Sequence, residues 1–221
     1  MTYINFILDP TNDYMGHAID YLKLCGVAIA LATIIGVGLG ILVSRSPILA
    51  FIAINLSGVM RAIPIIAALF LIFSVVKQLG FLPAIIALIL LGIPPILINT
   101  YTGIRGIDPA AIDAAKGMGM TTWQIATRIQ APLVTPLVAA GIRTSAVQIV
   151  ATATLAAFIG AGGFGEYIVD GIQVFNNTEL IVGAVSVAVL AMIIEISLSR
   201  LQHALTPEGL KVQEQAASAK A

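Results

Sequence analysis

Residues Leu24–Val43, LCGVAIALATIIGVGLGILV, run from end to end without a charged side chain. A helix of about 20 apolar residues is the length that crosses the hydrocarbon core of a bilayer. The same pattern recurs along the chain. Ser46–Val76 holds one charge, Arg61; Gln78–Ile104 holds none; Ile129–Gly165 holds Arg143; Leu180–Ser199 holds Glu195. These runs predict an all-α integral membrane protein with about five transmembrane helices. The fourth run is too long for one helix and is expected to end near Ala157, leaving a glycine-rich tail.

Composition agrees. Of 221 residues, 59% are hydrophobic and 10% charged, with a mean hydropathy of +1.02. A soluble domain carries roughly a quarter charged residues. The net charge is zero and aromatic residues are sparse, which argues against nucleic acid as a partner. Cys25 is the only cysteine, so it forms no intrachain disulfide and reads as a buried structural thiol. His17 and His203 lie at opposite ends of the chain and no metal-ligand spacing occurs, so neither a metal nor a catalytic group is expected.

Charges orient the spans. Arg45, Arg105, Lys116, Arg128, Lys211 and Lys220 fall on one predicted side. Asp9, Asp13, Asp20, Lys77, Glu166, Asp170 and Glu179 fall on the other. The basic side is the cytoplasmic one by the positive-inside rule, giving an outer N-terminus and an inner C-terminus. Residues 1–19 then form an extracytoplasmic segment without the basic start and long apolar core of a cleavable signal. Residues 20–202 form the membrane domain, and 203–221 a cytoplasmic tail that frays after Pro207.

The longest inner loop, 105–131, has its own organisation. Asp108-Pro109 is a helix start, with the carboxylate capping free amides and the proline in the first turn. Ala110–Lys116 favour helix, and Gly117 and Gly119 permit a tight turn. Thr121-Thr122-Trp123-Gln124 resembles a capping box that opens a second short helix, and Pro132 fits the start of the next span. Within this loop stands Asp113-Ala114-Ala115-Lys116-Gly117-Met118-Gly119.

That stretch carries a resemblance. Permeases of binding-protein-dependent ABC importers have Glu-Ala-Ala, three residues, Gly, nine residues, then Ile-x-Leu-Pro. This chain has Asp113-Ala114-Ala115, Gly119, and Ile129-Gln130-Ala131-Pro132 at the same spacings. Asp113 stands in place of Glu and Ala131 in place of Leu. The runs Pro83–Leu88, Asn99–Ile104 and Ala151–Gly163 are similar to the glycine betaine/carnitine/choline branch, and the similarity covers most of residues 20–200. It implies a type I ABC importer permease in a prokaryotic plasma (inner) membrane, with Asp113–Gly119 as the coupling helix seated in a groove of the ATPase. It also implies two copies of a cytoplasmic ATPase that binds ATP and Mg, a second permease chain, and an extracytoplasmic solute-binding protein. No cofactor is implied in the chain itself.

Other features have two readings. Gly160-Ala161-Gly162-Gly163-Phe164-Gly165 matches a bare GxGxxG pattern, but a membrane helix precedes it where a dinucleotide site needs a strand. It reads as close packing or outer-gate structure. Gly36 and Gly40 form a small-xxx-small face for helix packing. Arg61, Arg143 and Glu195 interrupt apolar spans, where charge is costly and normally faces a partner or a water-filled path. Arg61 lies about 21 Å beyond Pro47 on an ideal helix, with Pro64 one turn later as a bend. It either pairs at a subunit interface or lines the solute path and meets a carboxylate. Arg143 and Glu195 both fall in the inner half of their spans, which allows a pair between them. Pro94-Pro95 remove two amide donors and are expected to bend the third span; bent helices often border transport paths, and ordinary helix packing explains the pair equally well. A permease for methionine or another amino acid or amine would look much the same. A small channel or structural subunit would leave the loop motif unexplained, and an intramembrane enzyme lacks convergent titratable groups.

Overall fold

The computed structural model describes residues 3–206. Among these residues it is helical, without strands. A short helix α1 (Tyr3–Leu8) and a 3-10 turn (Pro10–Asn12) precede α2 (Tyr14–Ser44). Then come α3 (Pro47–Ala62), α4 (Ile65–Val76) and α5 (Phe81–Arg105). The loop helices are α6 (Pro109–Gly117) and α7 (Thr122–Ile125), which leads through a π turn (Ala126–Gln130) into α8 (Ala131–Thr152). A 3-10 segment (Ala153–Ile159), α9 (Phe164–Gln173) and α10 (Asn177–Leu205) complete the chain.

Among the described residues four stretches are long and apolar enough to cross a membrane: Pro10–Ser44, Phe81–Arg105, Thr122–Ile159 and Asn177–Leu205. The fifth expected span is a broken one. α3 and α4 together have the length and composition of a span, but meet at 99°. A single helix through Arg61 is therefore corrected to two. Ile63 and Pro64 are extended at the break, because the residue before a proline is pushed out of the α region and the proline has no amide to continue the α3 ladder; its carbonyl instead opens α4 by accepting the Ala68 amide (3.0 Å).

Topology follows from which residues touch. A methyl group at Gly36 would meet Ile96, and one at Gly40 would meet Thr100, so α2 and α5 run parallel. Gly103 faces Val134, Gly141 faces Asn99, and Gly92 faces Ser145, so α5 and α8 run antiparallel. The broken pair must return the chain across the bundle between the two parallel helices. A hydrogen bond from the Gly80 amide to the Ile159 carbonyl (2.7 Å) ties its far end to the 3-10 segment. The α2–α5 and α5–α8 contacts are the most extensive in the molecule, so α5 is the central helix.

Glycine makes that centre close. A Cβ at Gly40 would stand 2.5 Å from the Thr100 Cβ, so the backbones approach as small-residue membrane interfaces do. Gly40→Leu is expected to force α2 from α5 at a cost of about 1–3 kcal/mol. It should lower the midpoint of thermal unfolding in detergent; an unchanged midpoint would show that this contact does not set the spacing.

Prolines are accommodated within continuous helical runs. α5 continues through Pro94 and Pro95 as one helix, with both rings fully buried. The Pro95 carbonyl accepts the Asn99 side-chain amide (2.8 Å). Pro132 lies in the first turn of α8, as expected, although the helical run begins earlier, at Thr122. A π turn sits just ahead of Pro132, where a regular ladder would meet a missing donor and a bulky ring. At the far end the α-helix stops at Thr152 and tightens into 3-10 geometry as far as Ile159. The boundary expected at residue 20 falls inside α2, and α10 extends past residue 202. The fraying expected after Pro207 lies outside the described residues.

Candidate functional site

The loop at the α5–α8 end is a designed turn. The Asp108 side chain accepts the Ala110 amide (2.9 Å), and Pro109 occupies the first turn of α6. At the other end the Gly119 amide donates to the Lys116 carbonyl (2.9 Å) and the Met120 amide to the Ala115 carbonyl (3.2 Å). Gly119 has φ +79°. This is a Schellman end with glycine in the left-handed position. The Thr121 hydroxyl oxygen accepts the Gln124 amide, and the Gln124 side chain accepts the Thr121 amide (2.8 Å). α7 therefore starts with a complete capping box.

With both sides of the turn fixed, the face of α6 is set. Ala115 is buried and anchors the helix. Asp113, Ala114, Lys116, Gly117, Met118 and Gly119 are exposed. Lys116 pairs with Asp113 at 3.1 Å on that open face, an arrangement worth little to stability in water. Met118 is 73% exposed and Trp123 76%. A methionine and the chain's single tryptophan stand open on the loop that carries the charges. Sequence reasoning placed Trp123 only inside a capping box. Its signal was the isolation of the one tryptophan in a polar loop.

The remaining singled-out residues separate. Arg61 is in the last turn of α3 beside the break, exposed, and makes no ion pair among the described residues. Pro64 is exposed at the same break. Pro94 and Pro95, by contrast, face the helix-packed interior of this chain. Arg143 and Glu195 do pair across α8 and α10. Arg143 Nε donates to Glu195 Oε1 at 2.7 Å, Nη2 reaches the same oxygen, and Nη1 reaches Gln202 Oε1 at 3.4 Å.

A polar cluster at the opposite end of the bundle was not legible in the sequence. His17 Nε2 lies 3.0 Å from Glu166 Oε2, and its Nδ1 lies 3.0 Å from the Asp13 carbonyl. The Tyr167 ring stacks on His17 with centroids 4.5 Å apart, and its hydroxyl donates to the Asn12 carbonyl (2.6 Å). Burial, with the charges of Asp13, Tyr14, Glu179 and Glu166 nearby, pushes the Tyr167 phenol up to about 12. This cluster clasps α9 to the start of α2. Between them the glycine-rich turn holds Gly160, Gly162 and Gly163 at positive φ.

The fold and the loop describe a helical membrane subunit that exposes a rigid helix at one end. Residues 28–208 match the family of binding-protein-dependent transport system inner membrane components. The chain belongs to that family, and is thus an inner-membrane transport subunit. It is 40% identical to the carnitine transport permease protein OpuCB of Listeria monocytogenes, over 94% of this chain and 95% of that one. It is 38% identical to the glycine betaine/carnitine/choline transport system permease protein OpuCB of Bacillus subtilis, over 87% and 88%. Among solved structures, an inward-facing methionine ABC transporter, MetNI, matches with a TM-score of 0.77 at 20% identity, over 90% of this chain and 99% of that one. An amino acid ABC transporter with histidines matches at 0.75 and 17%, over 92% and 98%. The type I importer permease fold expected from the sequence is the fold observed.

Proposed function

We propose that this chain is the permease of an ABC importer that moves a small osmolyte such as glycine betaine, carnitine or choline. The observation that carries the reading is that relatives 34–40% identical along most of their length are named for these solutes or, in one case, for osmoprotectant import. The chain performs no covalent chemistry. A separate ATPase, present in two copies, binds ATP and Mg and supplies the work. A second permease chain completes the path, and an extracytoplasmic binding protein delivers the solute. The membrane is the prokaryotic plasma membrane, with α1 outside and α6 in the cytoplasm, an orientation that the basic residues at the α6 end support. Asp113, Ala114, Ala115, Lys116, Gly117, Met118 and Gly119 form the coupling helix. Its buried Ala115 and its capped ends make it a stiff lever, and the exposed Met118 and Trp123 supply apolar contact to the ATPase.

Of the path candidates, Arg61 and Pro64 are the two that an incoming solute can touch; Pro94 and Pro95 contribute the packing of α5. Arg61→Ala is expected to reduce uptake of glycine betaine about tenfold, the value of one charge-assisted contact of roughly 1.5 kcal/mol, while the ATPase still co-purifies. A complex that falls apart would instead assign Arg61 to a subunit contact. Purification of the chain from its native membrane in mild detergent tests the whole reading. An ATPase and a solute-binding protein are expected to co-purify, and the binding protein should take up a quaternary ammonium compound. Recovery of the chain alone under several gentle conditions would contradict it.

A further inference from the structure

Several faces of the bundle are open in the single chain, and they differ in chemistry. The open face of α2 presents Leu22, Ile34, Ile41 and Leu42. That of α10 presents Val185, Val189, Met192, Ile193 and Ile196. Both are surfaces that lipid covers at no cost. The open face of α8 is unlike them. Ala140, Arg143, Thr144, Val147, Gln148 and Ala151 line it, together with Glu195 and Gln202 from α10, around a cleft of about 610 Å³. Leu137 is the one large apolar side chain of α8 that is exposed.

The Arg143–Glu195 pair sits at the edge of this cleft. Arg143 is near the middle of α8, and Glu195 is about 15 Å from the C-terminal end of α10. Both therefore lie at hydrocarbon depth if α10 is centred in a core about 30 Å thick. Yet each side chain is 36% exposed. Charge left open at that depth is costly against lipid, and such groups face protein or water. A pair already satisfied by its own partner needs no further counter-charge from another subunit. What it needs is a polar medium beside it.

We propose that the α8 face bearing Thr144, Gln148 and Ala151 lines the water-filled route of the solute, with Arg143–Glu195 as its charged border. The assignment rests on the importer reading for the identity of the solute but not for the presence of water. The pair is net neutral and shows both signs. A zwitterion finds both counter-charges there, and a cation meets no net repulsion. A lone arginine at the same place would oppose a cation such as choline.

Two measurements test this. Cys25 is the only native cysteine and is 2% exposed, so introduced cysteines report on their own surroundings. Thr144→Cys, Gln148→Cys and Ala151→Cys are placed in the complete transporter in membranes, with Ile34→Cys and Val189→Cys as lipid-facing references. The three α8 cysteines are expected to react with a membrane-impermeant thiol reagent at least about tenfold faster than the references, with rates that change on adding a non-hydrolysable ATP analogue or glycine betaine. Rates no faster than the references in every nucleotide state, or fast rates indifferent to both additions, would overturn the proposal. In the second, Glu195→Gln leaves Arg143 uncompensated, and choline uptake is expected to fall several-fold more than glycine betaine uptake. Equal loss of both would assign the pair to packing alone. Failure of the importer reading would show separately, as absence of ATP-driven uptake by the unaltered transporter while the labelling still reports whether the face is wet.

Discussion

Gly119→Pro is expected to leave the protein inserted and folded in its membrane spans while transport falls about ten- to a hundredfold, the range that loss of a coupling of roughly 1–3 kcal/mol produces. The geometry gives the reason. Gly119 holds φ +79°, which proline's ring forbids, and its amide donates to Lys116. Both links of the Schellman end are then lost, and α6 no longer stops where Met118 and the α7 capping box need it to. Nothing lies within 4 Å of a side chain added at Gly119, so the damage is confined to the turn. Charge reversal, Asp113→Arg, is the companion. Asp113 is exposed and its pair with Lys116 is a surface pair, so stability should hardly change, while a docking face that accepts a carboxylate would reject a guanidinium. Basal ATP hydrolysis by the partner should persist with its response to solute lost. Normal uptake by either variant, measured in membrane vesicles, would remove α6 from the coupling role.

Gly165→Leu is expected to have the largest effect on folding. A side chain at this position would overlap the Thr154 carbonyl oxygen and backbone, which cannot rotate aside as a flexible side chain can. The glycine lets α9 begin directly against the 3-10 segment, and that contact holds the far end of the bundle together with the Gly80–Ile159 hydrogen bond. Overpacking of this kind costs about 1–3 kcal/mol, and more where backbone must move. The variant should show a lowered unfolding midpoint and reduced yield from membranes, and digestion should begin near residues 153–165. A midpoint equal to that of the unaltered protein would mean that α9 docks less tightly than its contacts imply.

Local signals in the sequence were reliable where one short-range interaction decides the outcome. Charge-free runs marked the spans because the bilayer imposes length and polarity directly. Asp108-Pro109, Gly119 and Thr121–Gln124 marked the two sides of the turn because caps are satisfied within a few residues. The break at Ile63–Pro64 was visible as a proline, but not its 99° angle, which depends on how α3 and α4 each pack on α5. Pro94 and Pro95 were legible as prolines inside the third span; that α5 runs through them as one helix with both rings buried required the structure. The His17–Glu166–Tyr167 cluster joins residues about 150 positions apart, and no local pattern encodes such a meeting. Arg143–Glu195 was accessible only as two charges at similar depth. Their hydrogen bonds, and the half-open face beside them, required the structure. Trp123 was hidden for the opposite reason: exposure of a large aromatic has no purpose inside an isolated chain, and acquires one when a partner covers it.

The central claim is that this chain moves a quaternary-ammonium osmolyte on the work of a separate ATPase. Its most direct test is uptake into proteoliposomes containing the complex purified through this chain, with its binding protein added and ATP placed on the side of the ATPase. Accumulation of labelled glycine betaine, carnitine or choline against a gradient, dependent on ATP hydrolysis and on the binding protein, is the predicted result. An intact, ATP-hydrolysing complex that accumulates none of the three, or passive flux that ignores ATP, would contradict the account.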